Sequence, residues 1–136
     1  MAGNTQDVVV RWREQLVFEG VAPGRAPITA DGDSRAAPSP VELLLLAAAT
    51  CTAADVVTIL AKQRVMLRSL EVAVQGTRRE EPPRRVTALH FRFAIAGDGA
   101  DEAKARRAID LSLEKYCSVV ATLAPDTRVT YDVSLA

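Results

Sequence analysis

The chain lacks any excess of charge: 17 Lys and Arg balance 17 Asp and Glu over 136 residues. Without a basic surplus there is no electrostatic footprint for nucleic acid or for an anionic membrane surface. Aromatics are scarce, with one Trp, two Tyr and three Phe (Trp12, Phe18, Phe91, Phe93, Tyr116 and Tyr131). That argues against a base-stacking platform. One histidine and two cysteines are too few soft ligands for a zinc cluster. No glycine-rich phosphate loop, HExxH pair or GxSxG elbow is present. Residues 1–10 lack a basic start followed by an apolar run, so no export signal is expected and the cytoplasm is the expected compartment.

What is present has globular proportions, 49% hydrophobic and 25% charged. The length suits one domain spanning 1–136. Leu43 to Leu60 is apolar enough to resemble a membrane span, but it carries Asp55, and a carboxylate near mid-span costs a few kcal/mol. An apolar helix of this kind is expected at the centre of a soluble core.

The N-terminal runs Asp7 to Arg13 and Gln15 to Gly20 are β-prone and predict a hairpin turning near Glu14, with a short third strand at Ile28 to Ala30. Asp31 to Pro38 is a polar loop. Ser39-Pro40-Val41-Glu42 then opens a helix. Ser39 caps it, Pro40 takes the first position without losing a needed donor, and Glu42 reaches back to the Ser39 N–H. The helix is expected to run to about Arg64, with Lys62 and Arg64 complementing its C-terminal dipole. Leu70, Val72 and Val74 alternate with polar neighbours, as do Leu89, Phe91, Phe93 and Ile95, which predicts two strands around a polar turn at Arg78 to Arg85. Asp101 to Tyr116 forms an amphipathic helix with Ala105, Ala108, Ile109, Ser112 and Leu113 inward, and a short helix to Ala124 precedes a last strand, Arg128 to Val133. The order defines an α+β domain with antiparallel strands around a long central helix.

A helix from Pro40 to Arg64 is about 37 Å long, wider than a compact domain of this size. Its apolar side chains run nearly all round, and one chain's strands cannot cover them. A second copy of the chain is the expected cover, giving a homodimer.

Chemistry falls to the two thiols. Cys51 sits near the middle of the long helix and Cys117 at the end of the next, 66 residues apart, which excludes a CxxC motif. In a reducing compartment such thiols are free, catalytic or redox-sensing, or serve simply as small buried hydrophobes. His90 alternates away from its strand's apolar face and is expected at the surface.

Ser39-Pro40-x-Glu42-Leu43 opening an apolar helix, Ala-Ala-Ala-Thr-Cys at 47–51 and Asp55-Val56-Val57 together resemble the first-cysteine helix of the OsmC/Ohr (osmotically inducible protein C-like) family. Glu114-Lys115-Tyr116-Cys117-Ser118 resembles its second-cysteine segment, and Arg-Arg-Glu-Glu-x-Pro at 78–83 is similar to its YhfA-like branch. The resemblance covers nearly the whole chain. It implies an intertwined homodimer with two interfacial sites and thiol-dependent reduction of organic hydroperoxides in oxidative stress defence. Cys51 is then the attacking thiolate, and Cys117 condenses with its sulfenic acid into a disulfide that an external thiol reduces. No metal or organic cofactor is implied.

Peroxidase members of the family use an arginine from the N-terminal hairpin region, held by a glutamate directly after the helix-opening proline. Here that position is Val41, and Glu42 follows one residue later, about 100° further round the helix. Glu42 is therefore a catalytic candidate with a competing role as capping partner of Ser39. Arg13 is the first candidate for the arginine, with Arg11 and Arg35 as alternatives. Asp55 lies one turn beyond Cys51 on the same face. An ionised carboxylate there opposes thiolate formation unless it bonds elsewhere, across a dimer for instance, or acts as a base.

Overall fold

The computed structural model describes residues 3–136. The chain divides into two compact units between Leu44 and Leu45. In the first, strands β1 (Val9–Glu14), β2 (Val17–Val21) and β3 (Ile28–Asp31) form an antiparallel meander. The first turn places Gln15 in the left-handed region, and its carbonyl accepts the Trp12 indole N–H at 2.7 Å. Only Asp31 is buried among the described residues of this unit. Its carboxylate collects the backbone N–H groups of Asp33, Arg35 and Ala36, which hold the loop and lower its pKa, the bond from Ala36 most.

The capping box forms as the sequence predicts. The Ser39 hydroxyl accepts the Glu42 N–H at 3.1 Å, and the Glu42 carboxylate accepts the Ser39 N–H at 2.9 Å. Helix α1 follows (Pro40–Lys62) and ends two residues before the expected Arg64. Arg64 adopts φ +65°, and the bonds Arg64 N–H to Ala61 O and Val65 N–H to Leu60 O close a Schellman stop.

In the second unit β4 (Met66–Arg78) and β5 (Val86–Asp98) are each 13 residues long, well beyond the alternating segments that announced them. Their polar ends pair through the backbone regardless of side chain. After β5 come α2 (Glu102–Leu111), a single π-helical turn (Ser112–Tyr116), α3 (Ser118–Thr122) and β6 (Arg128–Leu135). The sheet order is β4-β5-β6. One expectation fails here: β6 runs parallel to β5, pairing Leu89 with Val129 and Phe93 with Val133. The long helical connection between these strands supplies the crossover that parallel pairing requires.

The core of this unit is the inward face of β5, with Leu89, Phe91, Phe93 and Ile95 all buried. Phe91 stacks on Phe93 at 5.8 Å between centroids, and Tyr131 meets Phe93 edge-on at 6.0 Å. Helix α1 buries Ala48, Thr52, Val56 and Leu60, a stripe at four-residue spacing. Helix α2 buries Ala105, Ala108 and Ile109. The expected single helix from Asp101 to Tyr116 is broken at Ser112, because the Cys117 N–H bonds the Ser112 carbonyl at 2.7 Å in an i to i+5 turn.

Candidate functional site

Helix α1 is apolar nearly throughout, yet within one turn it carries a thiol, a hydroxyl and a carboxylate: Cys51, Thr52 and Asp55. All three address the segment from Ser112 to Cys117. The Thr52 hydroxyl, fully buried, donates to the Cys117 sulfur at 3.4 Å. The buried Ser112 hydroxyl donates to Asp55 Oδ2 at 2.8 Å. Cys51 lies beside Cys117, near enough to act on that thiol electrostatically. The structure thus brings together the two sequence-predicted cysteines, and both are free thiols.

Their surroundings differ. Cys51 is half-buried on the helix surface, whereas Cys117 is 3% exposed. Cys117 is also the N-cap of α3, its sulfur accepting the Val120 N–H at 3.5 Å. Burial pushes the Cys117 thiol up from its ordinary value. The Thr52 and Val120 donors pull the other way, and the neighbouring Cys51 adds to the rise. Cys117 is therefore held as a proton-bearing thiol beside a more accessible one. Of the two sulfurs, Cys51 is the more accessible to a molecule arriving from solvent.

Asp55 does not stand unpartnered, because Ser112 of the same chain holds it. It also borders a cleft of about 370 Å³ lined with Ile59, Leu111 and Tyr116 together with Lys62 and Arg107.

The remaining candidates lie in other settings. Arg13 is ion-paired with Glu19 across the β1–β2 hairpin. Glu42 makes the capping box and also accepts from the Ser34 hydroxyl, and the Ser34 bond is the largest cause of its lowered pKa. Arg35 donates its backbone N–H to Asp31. His90 lies at the sheet surface between Thr130 and Asp132. No cluster of three or more metal-ligating side chains occurs among the described residues. Sequence reasoning missed Thr52: its neighbour Cys51 drew attention, and its position in the buried stripe was the only available signal. It placed Ser112 in the core but gave it no partner.

The model of the family described as OsmC-like protein matches residues 31–132. Protein YhfA of Escherichia coli (strain K12) is 42% identical over 123 residues, covering 90% of this chain and 92% of that protein. The structure of an OsmC-like protein from Mycoplasma pneumoniae superposes with a TM-score of 0.84 at 18% identity, covering 98% of both chains. That of the organic hydroperoxide resistance protein OhrB of Bacillus subtilis superposes with a TM-score of 0.63 at 14% identity, covering 98% of this chain and all of that one. The mixed α and β fold, with one cysteine on its long helix and another after the second helical segment, is that of an OsmC-like protein. The chain belongs to the OsmC-like family.

Proposed function

We propose that this protein is a thiol peroxidase that reduces organic hydroperoxides in a two-cysteine cycle. The observation that carries the reading is the half-buried Cys51 lying beside the buried Cys117, whose thiol burial pushes up. The Cys51 thiolate attacks the peroxide, breaking the O–O bond. The alcohol leaves and Cys51 becomes a sulfenic acid. The Cys117 sulfur then displaces the hydroxyl as water and a disulfide forms. An external thiol returns both cysteines to the reduced state. The name of OhrB, a protein of the same fold, agrees with this substrate class.

Arg13 is the proposed cation for the developing alkoxide, released from Glu19 to serve. Glu42 is proposed to act on the helix N-terminus rather than on peroxide, since Ser34 and Ser39 occupy its carboxylate. The working protein is proposed to be a cytoplasmic homodimer, with a hydroperoxide and an external thiol as its small-molecule partners and with neither nucleic acid nor membrane. No cofactor enters the cycle.

Titrating the reduced protein with cumene hydroperoxide tests the reading. Expected is the loss of two hydrogens and of both thiols per chain, abolished in Cys51→Ser. Persistence of both thiols at stoichiometric peroxide overturns it.

A second reading rests on the cleft beside Asp55, whose apolar wall and volume suit a small hydrophobic ligand. On that reading the dimer binds and does not turn over. Native mass spectrometry then finds a co-purified ligand on a protein whose thiols ignore peroxide.

A further inference from the structure

A disulfide between Cys51 and Cys117 has two sulfurs, and an attacking thiol can open it at either one. Which sulfur is attacked and which leaves depends on access and on how well the departing thiolate is stabilised. The two sulfurs of this pair are unequal in access, and because burial disfavours a thiolate on Cys117, its departure depends on the donors that face that sulfur. Cys51 is half-buried, whereas Cys117 is 3% exposed. Two donors converge on the Cys117 sulfur, the Thr52 hydroxyl at 3.4 Å and the Val120 N–H at 3.5 Å.

The Val120 bond is the ordinary capping bond of α3. The Thr52 bond has no such structural duty. In a helix a threonine hydroxyl commonly folds back to the carbonyl four residues earlier. Thr50 does so to Leu46 at 2.7 Å, and Thr58 to Ala54 at 3.0 Å. Thr52, in the same helix and wholly buried, instead spends its proton on a sulfur 65 residues away. A weak sulfur acceptor is an unusual choice over a backbone carbonyl unless that sulfur carries charge at some stage.

We propose that Thr52 is a catalytic residue of the reductive half-cycle, its hydroxyl stabilising the Cys117 sulfur as that sulfur departs from Cys51. The inference rests on the two-thiol reading above. An external dithiol, as its thiolate, attacks the accessible Cys51 sulfur. The bond between the two protein sulfurs breaks and its electron pair goes to Cys117. The new thiolate is held by Thr52 and Val120 until it takes a proton from water. The mixed disulfide is carried on Cys51. The second thiol of the reductant then attacks its own bound sulfur, releasing Cys51 as a thiolate and leaving as a cyclic disulfide. The dithiol loses two electrons and the protein disulfide gains them.

The test separates this step from peroxide chemistry by forming the disulfide with diamide and measuring its reduction by dithiothreitol under rapid mixing. Thr52→Val keeps the shape and removes the donor. Loss of one hydrogen bond to a forming charge predicts reduction slowed by roughly tenfold or more, with Thr52→Ser restoring most of the rate. The first oxidation step at Cys51, read as cumene hydroperoxide consumed in a single turnover, puts no charge on the Cys117 sulfur and is expected to slow less than reduction does in Thr52→Val. A purely structural role for Thr52 predicts instead a lowered melting temperature with both half-reactions affected alike. With 2-mercaptoethanol as reductant and an acid quench, mass mapping is expected to place the adduct on Cys51. An adduct on Cys117, an unchanged reduction rate in Thr52→Val, or failure of the disulfide to form with diamide overturns the inference. Failure of the wild-type thiols to react with hydroperoxide, with the diamide result intact, overturns the peroxidase reading instead.

Discussion

The Ser112 hydroxyl donates to the Asp55 carboxylate at 2.8 Å, joining the long helix to the segment that carries Cys117. The same residue accepts the Cys117 N–H on its carbonyl at 2.7 Å and so closes the π-turn. Asp55 and the Cys117 N–H thus meet on one residue, and the bond to Asp55 ties the π-turn to the long helix. Ser112→Ala leaves a part-buried carboxylate without its donor, at a cost of about 1–3 kcal/mol. The expected result is a lower denaturant midpoint together with slower loss of the second thiol after peroxide. Full stability and an unchanged second step count against the clamp.

The two thiols are expected to alkylate in sequence. Cys51 is the accessible one, while Cys117 is buried and its thiol is pushed up by that burial. Iodoacetamide at neutral pH labels Cys51 first. Labelling of Cys117 in Cys51→Ser requires pH above the ordinary thiol range or partial unfolding. Peptide mapping of the first adduct decides this, and initial labelling at Cys117 contradicts the assigned order.

Much of this architecture was visible as pattern. The box at Ser39 to Glu42 works through atoms three residues apart, and the alternation of Leu89, Phe91, Phe93 and Ile95 reports burial of one face directly. The direction of β6 left no mark, because alternation along Val129, Tyr131 and Val133 is the same for parallel and antiparallel pairing. The π-turn was equally silent: the i to i+5 bond from the Cys117 N–H to the Ser112 carbonyl leaves no mark in residue type, and the Asp55 that holds the Ser112 side chain is 57 positions away. The cysteines stood out as residue types, whereas Thr52 drew its role wholly from a sulfur that only the fold brings near.

Glu42 carries a pH prediction. The hydroxyl of Ser34, then the N–H and hydroxyl of Ser39, hold its folded pKa below the ordinary glutamate value. A depressed carboxylate contributes stability that is fully present above its unfolded value and is lost as pH falls through the folded one. Glu42→Gln therefore lowers the melting temperature at neutral pH, and the gap to wild type closes in the acid range below the ordinary glutamate value. Thiol reactivity at neutral pH stays unchanged, since the residue serves the helix start. A collapse of peroxide reactivity with an intact melting curve assigns Glu42 to catalysis instead.

The N-terminal meander makes the strongest demand for a second copy of the chain. Val8, Val10, Trp12 and Ile28 are all more than half exposed, Trp12 at 66%, and Leu16 is exposed as well. Three short strands that bury only an aspartate have no core of their own, and an isolated sheet of this kind is not independently stable. Leu46 and Val57 on α1 are exposed as well, so the apolar surface is not confined to the meander. A homodimer that covers these residues predicts a dimeric mass by light scattering at micromolar concentration. It also predicts emission from Trp12, the only tryptophan, at the short wavelength of a buried indole. Trp12→Asp places a charge in that interface, where desolvation without a partner costs several kcal/mol. The variant is expected to scatter as a monomer and to melt earlier. A wild-type monomer with red, water-exposed emission removes the dimer from the account, and a Trp12→Asp dimer of unchanged stability moves the interface away from β1.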